Sequence, residues 1–127
     1  MAKYTSDKIR NICLMGHGGD GKTSLAESML YLSKVTDRLG KTVDGNTVMD
    51  FDPEEIKRTM SVSASLANFE WQGVKINLVD TPGTFDFAGE VKQALRVVGT
   101  AILVVDGKSG IQVGTEKAWE LVENPNA

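Results

Sequence analysis

Hydrophobic and polar positions divide the first half of the chain into three kinds of segment. The segment Ile9–Met15 ends in an apolar run, which predicts a buried strand, and a cluster of glycines comes directly after it. Apolar side chains then recur at helical spacing from Lys22 to about Ser33, which predicts a helix. A polar stretch with glycine and proline, from Thr36 to Thr59, is typical of a long loop.

The middle of the chain predicts a β-hairpin. Apolar positions alternate with serine from Val62 to Leu66 and then alternate in the opposite phase from Ala67 to Trp71. A change of phase within one strand predicts a bulge or bend near Leu66. The pair Gln72-Gly73 then predicts a tight turn into a further strand that begins at Val74.

The last part of the chain alternates between helix and strand. Apolar positions between Phe87 and Val98 keep one helical face, and another such face around Ala118 predicts a final helix. The continuous apolar run Ala101–Val105 between them is typical of a central parallel strand that is buried on both faces. The whole order, β-α-β-β-α-β-α, predicts a three-layer α/β fold with a mainly parallel sheet and one antiparallel hairpin strand. Ligands of such a sheet bind at the carboxyl ends of its strands.

Composition narrows the class of protein. With 127 residues, 41% of them hydrophobic, the chain is of the size and composition of one globular domain. A net charge of −3 argues against a broad basic surface for nucleic acid. A single cysteine favours a reducing compartment, and no apolar run approaches the length of a membrane span. We therefore expect a soluble, cytoplasmic protein without a membrane partner.

The glycine cluster carries the strongest chemical signal. Its sequence, Gly16-His17-Gly18-Gly19-Asp20-Gly21-Lys22-Thr23, fits the phosphate-binding pattern G-x-x-x-x-G-K-[ST]. Glycines let several backbone N–H groups face one anion, the lysine ammonium reaches the phosphates, and the threonine hydroxyl is a ligand for Mg²⁺. A glycine-rich turn without a ligand is the alternative. The nucleotide-binding residues predicted here are Gly16, His17, Gly18, Gly19, Asp20, Gly21, Lys22, Thr23 and Ser24.

A second motif, Asp80-Thr81-Pro82-Gly83, lies just after the third predicted strand. A carboxylate there suits a water molecule bound to magnesium, and a glycine N–H can approach a γ-phosphate without a side chain in the way. The same four residues also make a good turn, which is the alternative. Next to a phosphate loop, we expect Asp80 and Gly83 to belong to the nucleotide site.

Several segments together resemble the GTPase domain of the elongation factor G family, and the later ones are most similar to its divergent elongation factor G-like members. The similar segments are Arg58–Ser61, Ile76–Gly83, Asp86-Phe87, Asp106-Gly107 and Gly110–Trp119. The resemblance extends from about Ile9 to Trp119. It implies the G-domain fold of P-loop NTPases, GTP and GDP as ligands, and Mg²⁺ as cofactor. It also implies GTP hydrolysis as a conformational switch and the ribosome as partner of the full-length protein.

The resemblance also assigns residues. It places Ser61 where the family's effector loop supplies a hydroxyl to magnesium, beside Thr23 as a ligand and Asp80 through a bound water. It makes Lys22 and Gly83 candidate catalytic residues, together with Thr84, which lies at the position of the family's water-orienting histidine.

Three departures from the family pattern matter. The position where the family's histidine orients water is Thr84, and the only histidine, His17, lies inside the phosphate loop. The loop has Gly19-Asp20, whereas elongation factor G carries its aspartate one position earlier. The guanine-reading N-K-x-D segment does not occur in these residues, so we interpret 1–127 as a partial G domain, truncated before that segment, of a longer protein.

Two hypotheses of different classes result. The first is an enzyme, the GTP-binding part of a translational GTPase. The second is a nucleotide-binding module that interacts with the ribosome and hydrolyses little or nothing, because Thr84 occupies the histidine position.

Overall fold

The computed structural model describes residues 4–37, 39–40, 64–83 and 88–124. Within them the predicted alternation of strands and helices is confirmed, and no helix in these ranges is long and apolar enough to cross a membrane. Most of the predicted loop Thr36–Thr59 lies outside the described residues. After a short 3₁₀ turn at Ser6–Lys8, the elements are β1 (Ile9–Met15), α1 (Lys22–Leu32), β2 (Ser65–Trp71), β3 (Val74–Asp80), α2 (Ala88–Leu95), β4 (Thr100–Leu103) and α3 (Val113–Glu123).

The four strands of the described residues form one sheet in the order β2-β3-β1-β4. β4 lies at the end of this order and is only partly buried, so the prediction of a central strand buried on both faces is wrong within these residues. β1 is parallel to both of its neighbours, whereas β2 and β3 are antiparallel. The turn between β2 and β3 has positive φ at both central residues, 48° at Gln72 and 78° at Gly73, as a tight hairpin turn of the primed type requires. The predicted mainly parallel sheet with one antiparallel hairpin strand is therefore confirmed.

Apolar layers cover both faces of the sheet. On one face Ala26 and Leu30 of α1 pack against Leu14, Phe69 and Leu78. On the other, α2 and α3 pack against β1 and β3; the buried residues of this layer are Cys13, Met15, Val79, Val91, Ala94 and Ala118. The three-layer architecture results from the alternation of β1, whose successive side chains enter opposite layers.

The bulge predicted near Leu66 is wrong. The ladder between β2 and β3 is unbroken from the pair Ser65 and Asp80 to the pair Trp71 and Val74. Apolar residues of the two phases face opposite layers: Ala64, just before β2, packs on the α2 and α3 layer, whereas Phe69 packs on the α1 layer. The change of phase reflects a sheet that is covered on both faces, and Leu66 itself is 73% exposed.

The strand order also determines where a crevice lies at the edge of the sheet. From β1 the chain runs through α1 to the β2–β3 side of the sheet, whereas β3 connects through α2 to β4 on the other side of β1. The loops that follow β1 and β3 therefore begin at the same edge of the sheet and lead to opposite sides of it. Crevices of this kind are where open α/β sheets bind ligands.

The buried thiol of Cys13 generates a prediction about alkaline stability. Burial raises the pKa of Cys13 from 9.0 to about 11. Between these values the folded chain keeps the thiol proton while the unfolded chain releases it, so the free energy of unfolding should fall as the pH rises through this window. Chemical denaturation at intervals from pH 8 to pH 11 measures this fall.

The matched control is Cys13→Ala. It loses packing in the core at every pH, but its stability should decline less steeply above pH 9 because it has no thiol to titrate. A wild-type decline no steeper than that of the variant would contradict the prediction.

Candidate nucleotide-binding site

The segment between β1 and α1 has the strand–loop–helix arrangement that the phosphate-binding pattern requires. The backbone has positive φ at Gly16, Gly19 and Gly21, with values of 146°, 89° and 95°. α1 begins at Lys22, and its N-cap, Gly21, provides no side-chain cap. The first N–H groups of a helix have no acceptor within that helix, and they form the positive end of its dipole. The local geometry therefore suits an anion.

Lys22 folds back over this loop. Its side chain is buried, and its Nζ atom donates a hydrogen bond of 3.0 Å to the carbonyl oxygen of His17. A buried ammonium needs such acceptors, because losing water without compensation is costly. The result is a positive charge held against the backbone of the loop.

Asp80 reaches the loop from the neighbouring strand. In the parallel register Asp80 lies opposite Leu14, one residue before the end of β1. The hydroxyl of Thr23 donates a hydrogen bond of 2.6 Å to Asp80 Oδ2, and both residues are buried. Thr81 fixes the chain just beyond the strand, because its N–H and its hydroxyl both donate to the carbonyl of Leu14. The structure thus brings two of the three predicted metal-site residues into direct contact.

Gly83 lies against the phosphate loop. Its carbonyl accepts a hydrogen bond of 3.0 Å from the N–H of Gly18. A Cβ atom at Gly83 would lie 2.5 Å from Gly18 N and 2.5 Å from Lys22 Nζ, so a side chain has no room there. Gly83 therefore lies beside the loop, as expected. The group of Gly83 that contacts Gly18 is its carbonyl and not its N–H.

Two contacts brace the loop from the start of α3. His17 Nδ1 accepts a hydrogen bond of 3.0 Å from the N–H of Gly114. Gln112 Nε2 donates one of 3.1 Å to Asp20 Oδ1. The Gln112 side chain also accepts the N–H of Thr115, whose side chain caps the Gln112 N–H in return. The first turn of α3 is therefore capped partly by itself and partly by the phosphate loop.

Gly114 is a steric requirement of this brace. A Cβ atom at this position would lie 2.5 Å from His17 Nδ1 and 2.8 Å from His17 Cα. Neither Gln112 nor Gly114 is indicated as a site residue by the sequence. The only local signal is a Gln-x-x-Thr helix start, which says nothing about the loop on which it lies.

The remaining predicted site residues lie at the surface or outside the described residues. Ser24 is exposed on the first turn of α1, and Gly19 is exposed at the surface of the loop. Ser61 and Thr84 lie outside the described residues, so their roles stay predictions.

Asp106 closes a turn after β4. Hydrogen bonds from the Ser109 side chain, and from the backbone of Ser109 and Lys108, lower the pKa of its carboxyl. Its Oδ2 atom lies 3.0 Å from Ser109 N, and its carbonyl accepts the N–H of Gly110. These contacts stabilise the negative charge within the turn itself.

Comparison with known proteins supports a guanine-nucleotide site. Residues 7–127 match the family model of the elongation factor Tu GTP binding domain. The mitochondrial ribosome-releasing factor 2 of Yarrowia lipolytica is 41% identical over 119 residues, which are 94% of this chain and 15% of that protein. The elongation factor G-like protein of Mycobacterium tuberculosis is 41% identical over 112 residues, 88% of this chain and 16% of its own length.

A solved structure is also similar to this chain. The crystal structure of a Thermus thermophilus protein matches with a TM-score of 0.88 and 38% identity, covering 91% of this chain and 18% of that one. The chain thus spans about one sixth of the length of the Yarrowia and Mycobacterium relatives. The family model, by contrast, covers nearly all of the chain, from residue 7 to residue 127. This chain therefore belongs to the elongation factor Tu GTP-binding domain family.

Proposed function

We propose that this chain binds GTP and GDP with Mg²⁺ and hydrolyses GTP, as the nucleotide-binding part of a translational GTPase of the elongation factor G type. One observation carries the proposal: Thr23 and Asp80 meet at 2.6 Å beside the uncapped start of α1, in a chain of this family. A structural glycine turn needs neither a buried lysine nor a buried carboxylate. Both groups are useful where phosphate and a cation are bound together.

The proposed phosphate contacts come from the loop and from the motif after β3. Backbone N–H groups of the loop and of the first turn of α1 face the phosphates, and the Lys22 ammonium neutralises part of their charge. For Gly18 to offer its N–H to a phosphate, its present hydrogen bond to the Gly83 carbonyl has to open. The proposed nucleotide-binding set is Gly16, His17, Gly18, Gly19, Asp20, Gly21, Lys22, Thr23, Ser24, Asp80 and Gly83.

The residues present fit magnesium. Mg²⁺ prefers oxygen ligands and keeps several waters. The Thr23 hydroxyl donates a hydrogen bond to Asp80, and a hydroxyl oxygen is a ligand of the kind that Mg²⁺ takes, while the Asp80 carboxylate suits a metal-bound water. Ser61 is proposed as a further hydroxyl ligand. When bound with the nucleotide, Mg²⁺ neutralises charge on the phosphate oxygens.

The proposed catalytic contribution of the chain is position and charge. Lys22 and Gly83 hold the phosphate end, and attack by water requires that the water be oriented. Thr84 occupies the position where the family has a histidine, and a threonine hydroxyl does not accept a proton near neutral pH. His17 is not a substitute, because its Nδ1 atom already accepts the N–H of Gly114.

The proposed partner of the full-length protein is the ribosome, for which GTP hydrolysis would serve as the switch between conformations. Neither a membrane nor sequence-specific nucleic acid is proposed as a partner of this chain. The proposed location is the cytoplasm, in keeping with a single reduced, buried cysteine.

Removing the lysine charge tests the phosphate loop. Lys22→Ala should weaken binding of a fluorescent guanine nucleotide by roughly 10- to 100-fold, because a charge-assisted contact is worth roughly 1.5–3 kcal/mol. The exposed Lys117, which pairs with its helix neighbour Glu120 at 3.4 Å, gives the control Lys117→Ala. Unchanged affinity in a folded Lys22→Ala chain would mean that the loop is not the site.

The brace from α3 gives a second test. Gly114→Ala should lower nucleotide affinity by roughly tenfold although Gly114 is not among the proposed nucleotide contacts, because the added methyl group displaces His17 and the loop with it. Gly107→Ala is the matched control, since a Cβ atom there meets nothing within 4 Å. Equal affinities of the two variants, measured by titration, would show that the loop does not depend on the brace.

Thr84 separates an enzyme from a binding module. The wild-type chain should hydrolyse GTP very slowly, and its rate should show no titration of a catalytic imidazole near pH 6–7. Thr84→His should raise phosphate release in the presence of ribosomes, by as much as the roughly 10²–10⁴-fold of a positioned general base. A fast wild-type rate would show that another group orients the water, and a slow rate in both chains would favour the binding module.

A further inference from the structure

Asp20 places a negative charge in a loop whose proposed ligand is an anion. Its Oδ1 atom accepts the hydrogen bond of 3.1 Å from Gln112 Nε2. Its Oδ2 atom is buried, and none of the described residues donates a hydrogen bond to it. Charges interact strongly where water is excluded, so the direction in which this carboxylate points matters to the site.

The ammonium of Lys22 lies beside the backbone of Asp20. Lys22 Nζ and the N–H of Asp20 both donate to the carbonyl oxygen of His17, at 3.0 and 3.2 Å. This ammonium is the cation proposed to neutralise the phosphates. An Asp20 carboxylate turned toward it would form an ion pair with it and would compete with the phosphates for the same charge.

The side chain of Gln112 holds the carboxylate from the other direction. Gln112 is the N-cap of α3, and its side-chain amide is used at both ends: the oxygen accepts the N–H of Thr115, while Nε2 donates to Asp20. Thr115 is buried, and its hydroxyl accepts the N–H of Gln112 at 3.1 Å. The amide is therefore fixed to the first turn of α3, and its donor draws the carboxylate toward that helix without neutralising its charge.

We propose that Gln112 is a positioning residue: its amide holds the Asp20 carboxylate toward α3 and so leaves the Lys22 ammonium to the phosphates of a nucleotide. The inference rests on the proposed function and deepens it. Without the amide donor the carboxylate turns to Lys22, and a nucleotide has to break that ion pair before it binds. The loss of affinity applies to GTP and GDP alike, because both present phosphate to the loop.

The test removes the donor and keeps the helix cap. Gln112→Glu retains an oxygen for the N–H of Thr115 but has no N–H of its own to offer Asp20. It should weaken binding of a fluorescent GDP about tenfold, as expected for residues that share one hydrogen-bond network. Lys117→Gln changes the net charge by the same amount at an exposed position of the same helix. It should leave the affinity within about twofold of wild type, because an exposed charge contributes little.

The double variant isolates the role of the Asp20 charge. In the Asp20→Asn background no carboxylate competes for Lys22, so Gln112→Glu should weaken binding there by no more than about twofold. A weakened helix cap would reduce affinity equally in both backgrounds, and an equal loss would overturn the inference. Gln112→Met, which keeps the length of the side chain without its polar groups or any added charge, should repeat the pattern. Failure of both Gln112 variants to fold would also overturn the inference, because Gln112 would then be a requirement of the fold.

A second measurement locates the carboxylate directly. In a crystal structure of nucleotide-free Gln112→Glu, an Asp20 oxygen should lie within about 4 Å of Lys22 Nζ, the distance of an ion pair. An Asp20 side chain that still points toward α3 would overturn the inference. A wild-type chain that binds nucleotide no more tightly than Gln112→Glu would contradict the positioning role alone. If the wild-type chain binds no nucleotide, the proposed function itself fails, and the role of Gln112 with it.

Discussion

The parallel register of β1 and β3 is the constraint on which the site depends. With Leu14 opposite Asp80, the loop that begins after Met15 and the motif that begins at Asp80 start side by side at one edge of the sheet. Only then can the hydroxyl of Thr23, in the first turn of α1, reach Asp80 at 2.6 Å. A slip of one residue would also exchange the two faces of β3 and turn Leu78 and Val79 into each other's apolar layers. Core packing and site geometry are thus fixed by the same pairing.

Burial of the polar groups at this edge destabilises the fold, but the same groups are useful to the proposed site. Asp80 is fully buried, and Lys22 nearly so. Leaving one such group without its partner costs about 1–3 kcal/mol, and more when it is charged. Their hydrogen bonds to Thr23 and to the His17 carbonyl offset this cost, and they also hold a carboxylate and an ammonium in place before a ligand arrives. Local departures from a well-packed apolar core of this kind are expected at functional sites.

The sequence predicts well those features that depend on neighbours in the chain. β1 and the Gln72-Gly73 turn occur where local patterns indicated, and α1 ends one residue earlier than expected. The prediction of a bulge at Leu66 was wrong because the alternation of apolar residues was interpreted as if only one face of the sheet were buried. The roles of Gln112 and Gly114 were not predicted for a different reason: their partners depend on which elements meet in the folded chain. His17 and Gly114, 97 residues apart, meet only after the sheet has brought the end of β1 near the start of α3.

The proposed function assigns nucleotide binding and water activation to separate residues. The groups proposed to hold phosphate lie on α1, at the end of β3 or in the loop between β1 and α1, and packing or hydrogen bonds fix each of those elements. The position proposed to orient the water is Thr84, and a threonine hydroxyl does not accept a proton near neutral pH. The one histidine of the sequence is already used, since its Nδ1 atom holds the start of α3. Replacing that imidazole would weaken the brace and would supply no base, whereas a base at position 84 would leave the brace intact. Under the proposed function, affinity and turnover therefore depend on different residues: affinity on the loop and the motif after β3, and the rate on a single position outside the loop.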